Sequence, residues 1–195
     1  MPKYKACSEH PGVCRSLLVA AMLVCAACTH AQEFGLKQKS DSLNLLTLRT
    51  DSTFDQWEIR HPVYRFCTGD VNGDGQPEAL VGVIKRTRFF HDMGRRLFIY
   101  KNVHGRIRAL WMGSKLGGIL QDFRYIAPPT RGIQTDSITG NQPAANRKGW
   151  VRSLETDTQG CYYVAEYSLR KFGLSFDRFL IKAVSKEEAL SIFEQ

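Results

Sequence analysis

Cysteine is scarce where it would count. Of the six in this chain of 195 residues, Cys7, Cys14, Cys25 and Cys28 stand in the first 31 positions, which leaves Cys67 and Cys161. Two isolated thiols at that spacing fit no zinc site. In an oxidising compartment they form at most one disulfide; the alternative is two buried thiols acting as small hydrophobes. Long apolar runs are missing too: Leu17–Ala27 is too short to span a bilayer as a mature helix. No serine or cysteine is marked by its neighbours as a nucleophile. His91-Asp92 and His104 fall in expected loops, so acid/base catalysis has no visible centre. Asp122, Asp136, Glu155 and Asp157 are scattered carboxylates, and glycoside hydrolysis needs a pair at a fixed separation in space. With 43% of residues hydrophobic and 24% charged, the composition is that of an ordinary globular chain with material for one core and one domain.

Lys3, Lys5 and Arg15 precede the apolar run, and small residues follow it, which is the form of a secretory signal over residues 1–31. The expectation is an exported bacterial protein, secreted, periplasmic or anchored to the outer membrane. Two cleavage sites compete. Cys25-Ala26-Ala27-Cys28 has the form of a lipobox, although such boxes usually carry an aliphatic residue where Cys25 stands. Cleavage there would leave a lipid on Cys28 as the one route to a membrane. Thr29-His30-Ala31 has the small residues of an ordinary site and would release a chain beginning at Gln32. Losing residues 1–31 removes three of 27 basic and one of 19 acidic residues, leaving a net charge of about +6.

The most informative segment is Asp70-Val71-Asn72-Gly73-Asp74-Gly75-Gln76-Pro77-Glu78. It places acidic or amide side chains at alternate positions and ends in the strand-like run Ala79–Ile84. Calcium takes six to eight hard oxygens, so a tight loop must offer side-chain oxygens at positions 1, 3, 5 and 9 and a backbone carbonyl at 7. Asp70, Asn72, Asp74, the Gln76 carbonyl and Glu78 fill those places in order. Gly75 stands where the chain must bend. An EF-hand is excluded: its twelfth position carries a bidentate glutamate and leads into a helix, whereas here that position is Val81 and the exit is β-branched and apolar. Asn72-Gly73 and Asp74-Gly75 are also turn signals in their own right, so a metal-free hairpin loop stands as the alternative.

DVNGDGQPEALVG resembles the calcium loop of FG-GAP, or VCBS-type, repeats, the blade units of integrin-like β-propellers, in which the acidic loop joins two strands of a blade. A looser resemblance extends over one blade, about Val63 to Gly118. Family members commonly close the loop with aspartate, where this chain has Glu78. The resemblance implies a structural calcium ion held by Asp70, Asn72, Asp74, Gln76 and Glu78.

Around the loop, alternation marks four short strands, Val63–Thr68, Ala79–Ile84, Leu97–Lys101 and Ile107–Trp111, with loops at Phe90–Gly94 and Val103–Gly105. A second, degenerate unit spans 119–184, with strands Ile119–Ile126, Val151–Thr156, Cys161–Leu169 and Phe179–Val184. Ala127–Gly149, with three prolines, reads as a long irregular insertion. Residues 32–42 read as a flexible leader ahead of a β domain over 43–195. Leu43–Leu48 suits either a strand or one face of a short helix. Trp57, Ile59, His61 and Val63 alternate as a half-buried strand, which Pro62 confines to an edge. Ser185-Lys186-Glu187-Glu188 has the form of a capping box opening a short helix. The fold class expected is mainly β: antiparallel blade-like sheets, partial and propeller-like, with a short C-terminal helix. Two patterned units do not close a propeller, so the sheets must cover their edges by packing, by the insertion or by association of copies.

Lys85, Arg86, Arg88, Arg95 and Arg96 flank a hairpin tip carrying Phe89, Phe90 and His91. Such a tip suits an anionic ligand, or else is a solvated hairpin whose charges protect a strand edge. Export argues against nucleic acid. Tyr163 and Tyr167 share a strand face that Tyr162 does not, and with Trp150 they read as packing residues. The function expected is an exported calcium-binding β module that engages a protein or glycan at the cell envelope. The alternative is a secreted hydrolase whose active site the loop braces.

Overall fold

A computed structural model describes residues 32–88, 90–113, 116–129 and 148–195. The signal segment with its Cys28 lipobox, Phe89, Asp136 and most of the 127–149 insertion lie outside the described residues. Three antiparallel meanders follow one another along the chain. The first is β1 (Glu33–Ser40), β2 (Leu43–Arg49) and β3 (Phe54–Ile59). Leu43–Leu48 is therefore a strand: Asn44, Leu46 and Leu48 are buried at period two, the spacing of a sheet rather than a helix. The expectation of a flexible leader over 32–42 is corrected by β1, whose Phe34 is buried and whose Leu36 packs beside it. Two apolar side chains on one face were enough to hold a segment that reads as polar. The alternating run Trp57–Val63 is also not one strand: β3 stops at Ile59, and Pro62 lies in the link to the next sheet.

The second meander is β4 (Val63–Gly69), β5 (Glu78–Thr87), β6 (Phe90–Val103) and β7 (Arg106–Met112). The third is β8 (Ile119–Ile126), β9 (Trp150–Thr156), β10 (Tyr162–Arg170) and β11 (Gly173–Val184). Helix α1 (Lys186–Phe193) follows, opened by the reciprocal Ser185–Glu188 capping box. Phe90–Gly94, expected as a loop, belongs to β6. Thr87 pairs with Phe90 and Lys85 with Gly94 across a register shift, while Arg96 reaches back to the Asp92 carbonyl and lies over the Phe90 ring.

Alternation along β5 and β6 explains how the layers stack. Ala79, Val81, Val83, Phe98 and Tyr100 face the first sheet, where Leu46, Leu48 and Ile59 meet them. Leu80, Leu97 and Ile99 face the third, against Leu120, Phe123, Val151 and Tyr167. The central sheet thus has no solvent face over its middle, which is why β5 is a continuous apolar run instead of a half-polar one. The outer face of the third sheet, Leu154 and Val164, is covered by Ala189 and Phe193 of α1. That helix ends without a basic residue of its own. Arg152 and Arg124 reach from the sheet instead and donate to the Ile192 and Phe193 carbonyls, at 3.1 and 2.8 Å, satisfying acceptors that a helix end leaves open.

Candidate metal centre

The link from β4 to β5 is the acidic loop. Its backbone is folded by its own side chains. Asp70 accepts from the Gly73 and Gly75 amides through its two oxygens, at 2.6 and 2.8 Å. Asn72 Oδ1 accepts from Asp74 N–H at 2.7 Å, and Asp74 Oδ1 from Gln76 N–H at 2.8 Å. This is the Asx-turn chemistry of aspartate and asparagine, used three times in seven residues. Gly73 and Gly75 sit at φ 85° and 83°, which a side chain adopts only under strain. The start of the loop is pinned from the third sheet: the Asp70 carbonyl accepts from Gly149 N–H at 2.8 Å and from the Tyr125 hydroxyl at 3.3 Å. Gly69 and Gly149 both lie against the Tyr125 ring, where a Cβ on either would collide with it.

Glu78 closes the loop and is 1% exposed. Its carboxylate accepts from Val71 N–H at 3.0 Å and from the Asn72 amide at 2.6 Å. The same Asn72 amide donates to Asp74 at 2.8 Å, so one neutral NH₂ bridges two carboxylates. Among the described residues no lysine, arginine or histidine forms an ion pair with Asp70, Asp74 or Glu78. Burial pushes the Glu78 carboxyl up to about 7, with the charges of Asp74 and Asp70 acting in the same direction, while the Val71 amide opposes them.

The five residues named from the sequence are thus brought into one loop, with Asn72, Asp74 and Glu78 joined by hydrogen bonds and Asp70 bonded to the Gly73 and Gly75 amides. Among the described residues no group of three or more His, Cys, Asp or Glu side chains is drawn together closely enough to grip a metal. The donor chemistry, all oxygen and predominantly anionic, suits calcium. Each carboxylate oxygen engaged by an N–H keeps a second lone pair for an ion. The Asn72 amide would have to turn its oxygen inward, because its NH₂ now occupies the side of the loop shared by Asp74 and Glu78.

Beside the loop opens a cleft of about 530 Å³, walled by Asp74, Gln76 and Glu78 on one side and by the β2–β3 and β6–β7 turns on the others. Gln32 spans it, donating to the Pro77 carbonyl at 2.8 Å and accepting from Asn102 at 2.8 Å. Neither residue was read as part of a site from the sequence, where Gln32 figured only as a candidate first residue after cleavage; a lone glutamine and asparagine carry no local signal.

The other candidates are engaged elsewhere. Asp122 pairs with Arg65, and Asp157 caps its own turn by accepting from the Gln159 and Cys161 amides. Glu155, wholly buried, accepts from Ser153 at 2.5 Å, Tyr167 at 2.8 Å, Tyr163 at 2.9 Å and the Gly118 amide. The two tyrosines do share a face, and Tyr162 packs on the opposite one. Lys85, Arg95 and Arg96 of the basic hairpin lie over the rings of Phe98, Tyr64 and Phe90, with Arg95 also bonded to the Gln121 carbonyl. Cys67 and Cys161 are free thiols. No helix among the described residues is long and apolar enough to cross a membrane. Compared with family models, curated proteins and solved structures, the chain matches none.

Proposed function

We propose that Asp70–Glu78 is a structural calcium site in an exported β module whose role is binding or interaction at a cell envelope. The observation that carries this reading is Glu78, a carboxylate 1% exposed, with Asp70 and Asp74 beside it and, among the described residues, no cationic side chain in an ion pair with any of the three. Burying a charge without a counter-charge is costly, and a divalent cation removes that cost where a neutral amide only reduces it. The resemblance of DVNGDGQPEALVG to the FG-GAP calcium loop supports the same assignment, as does the loop's position between two strands of a four-stranded meander. Asp70, Asn72, Asp74 and Glu78 would offer side-chain oxygens and Gln76 its carbonyl. Sites of this kind in extracellular modules hold calcium at about 10⁻⁴ to 10⁻³ M.

Thermal melts of the purified protein in calcium, in magnesium and in chelator test the assignment. Calcium raises the melting temperature, magnesium does so less, and Asp74→Ala abolishes the difference between calcium and chelator. Identical melts in calcium and chelator for the unaltered protein would reduce the loop to an acidic turn.

A further inference from the structure

β1 (Glu33–Ser40) is the outermost strand of the first sheet, and among the described residues only β2 pairs with it. In an antiparallel pair alternate residues turn their N–H and C=O groups away from the partner, so one side of β1 carries unpaired backbone donors and acceptors. The register against β2 runs from Glu33 to Gln38 without a shift, which keeps those groups in regular sequence. The other outer strands are tied or distorted. Asp55 of β3 accepts from Ile107 N–H of β7 at 2.7 Å, Arg65 of β4 pairs with Asp122 of β8, and the Gln121 carbonyl of β8 accepts from Arg95 of β6. β11 breaks its register with β10 three times and holds Ala183 at φ 54°.

Phe34 and Leu36 pack into the core, so Glu33, Gly35 and Lys37 lie on the opposite, outer face of β1. A groove of about 380 Å³ lies on that face, lined by these three with Leu36 and by Thr47, Arg49 and Phe54. Gly35 leaves a gap in the row of β1 side chains. Its carbonyl accepts from the Thr47 hydroxyl at 3.2 Å, and a Cβ there would lie 2.9 Å from that oxygen. Phe54, 54% exposed, stands on the β3 side with the Arg49 guanidinium 5.9 Å from its ring centroid. Cations outnumber anions along the strand and groove: Lys37, Lys39 and Arg49 against Glu33, with Asp41 beyond the strand's end. None of these is in an ion pair among the described residues, whereas Glu58, on the outer face of β3, is already paired with Arg60.

We infer that β1 is a docking edge for an extended acidic peptide of a partner protein, which adds as a further strand to the first sheet. The peptide backbone completes the open ladder of β1. Its carboxylates, at every second residue, meet Lys37 and Arg49 on the outer face, and the gap at Gly35 admits a side chain between them. Lys39 adds to the attraction. Lysine on a sheet edge turns away neutral and basic strands, since covering it unpaired is costly, and leaves an acidic strand as the partner that satisfies it. A second copy of this chain brings the same excess of cations, which two copies do not neutralise. The edge uses none of the acidic loop's residues, so its test stands whether or not the loop holds an ion.

Fluorescence anisotropy of a labelled peptide that alternates glutamate with valine and threonine tests this on the purified protein at low ionic strength. Two control peptides accompany it. One carries lysine in place of glutamate; the other keeps its glutamates but has proline for each valine and threonine, so that it cannot join a ladder. Lys37→Glu is measured beside Lys171→Glu, an exposed lysine in the β10–β11 turn that controls for net charge. Lys37 is exposed, so its variant keeps the parent's melting temperature, and Arg49→Glu repeats the test from β2. The expected result is binding of the glutamate peptide and of neither control. Lys37→Glu and Arg49→Glu each weaken it at least about tenfold, and Lys171→Glu less than about twofold. No binding of the glutamate peptide overturns the inference. Equal binding of the proline peptide, or equal loss in Lys37→Glu and Lys171→Glu, reduces the attraction to net charge and overturns the docking edge. A concentration-dependent dimer that Lys37→Glu disperses gives the edge to a second copy and overturns the peptide as its occupant.

Discussion

Glu78 and Glu155 each lie on the second strand of a four-stranded meander, and each is almost wholly buried. Around Glu155 stand donors: two tyrosine hydroxyls, a serine and a backbone amide saturate its oxygens. Around Glu78 stand two more carboxylates, and the asparagine that serves it also serves one of them. A buried carboxylate can be accommodated by neutral dipoles aimed at it, as Glu155 is, or by a cation, as we propose for Glu78. The donors of Glu155 also change in turn, since burial, aided by the Glu155 charge, holds the Tyr163 and Tyr167 hydroxyls far above the ordinary phenol range.

The contrast is sharpest under substitution. Glu155→Ala strips the acceptor from three hydroxyls and an amide at the heart of the third sheet. It is expected to cost about 3–5 kcal/mol in denaturant unfolding, by the same amount in calcium and in chelator. A calcium-dependent cost would make the two glutamates alike. Glu78→Gln should do the reverse in chelator. It removes a charge whose carboxyl is pushed from 4.5 to about 7, and at neutral pH and above is expected to stabilise by an order of 2–3 kcal/mol. In calcium the same change loses a ligand and the gain disappears.

Calcium itself, at 10 mM and for the proposed site of about 10⁻⁴ to 10⁻³ M, is expected to stabilise the folded form by about 1.4–2.7 kcal/mol. Unfolding curves at graded calcium concentrations measure that difference directly. The pH profile carries the same contrast. The folded Glu78 binds its proton more tightly than the unfolded one, so its contribution to stability is present below about pH 4.5. That contribution is lost as pH rises toward about 7 in chelator. Calcium should flatten this slope, because the ion favours the carboxylate. A slope unchanged by calcium would place the ion elsewhere. The smallest effect belongs to Tyr163→Phe, which removes one of four donors to Glu155 and is expected to cost about 1–2 kcal/mol with no calcium dependence.

Where a period ran without a proline to break it, the sequence carried the structure; the Trp57–Val63 run, broken before Pro62, did not. Ile119–Ile126 and the capping box at Ser185 were legible because alternation and caps are local rules. β1 was not, because its hold on the molecule is two side chains amid glutamine, lysine and serine, and their value depends on a sheet folded from distant residues. The acidic loop announced its residues but not its state: spacing gives the oxygens, whereas the orientation of the Asn72 amide follows from hydrogen bonds among neighbours. The cleft was invisible for a further reason, since its walls come from separate segments around Gln32, Ser52, Gln76 and His104 that lie far apart in the chain. Glu155 was noticed only as one of several carboxylates; the tyrosines that define its environment were read separately, as packing.

Helix α1 covers the outer face of the third sheet. Each meander in this chain lays an apolar face on the one before it, a rule that by itself contains no instruction to stop. By laying Ala189 and Phe193 over Leu154 and Val164, and by accepting two arginines at its last turn, α1 turns the outermost sheet face into one that no longer templates another layer. Removing it would open Leu154 and Val164 to solvent, so the segment from Lys186 onward governs what that sheet face presents to its surroundings as much as how firmly the sheet is folded.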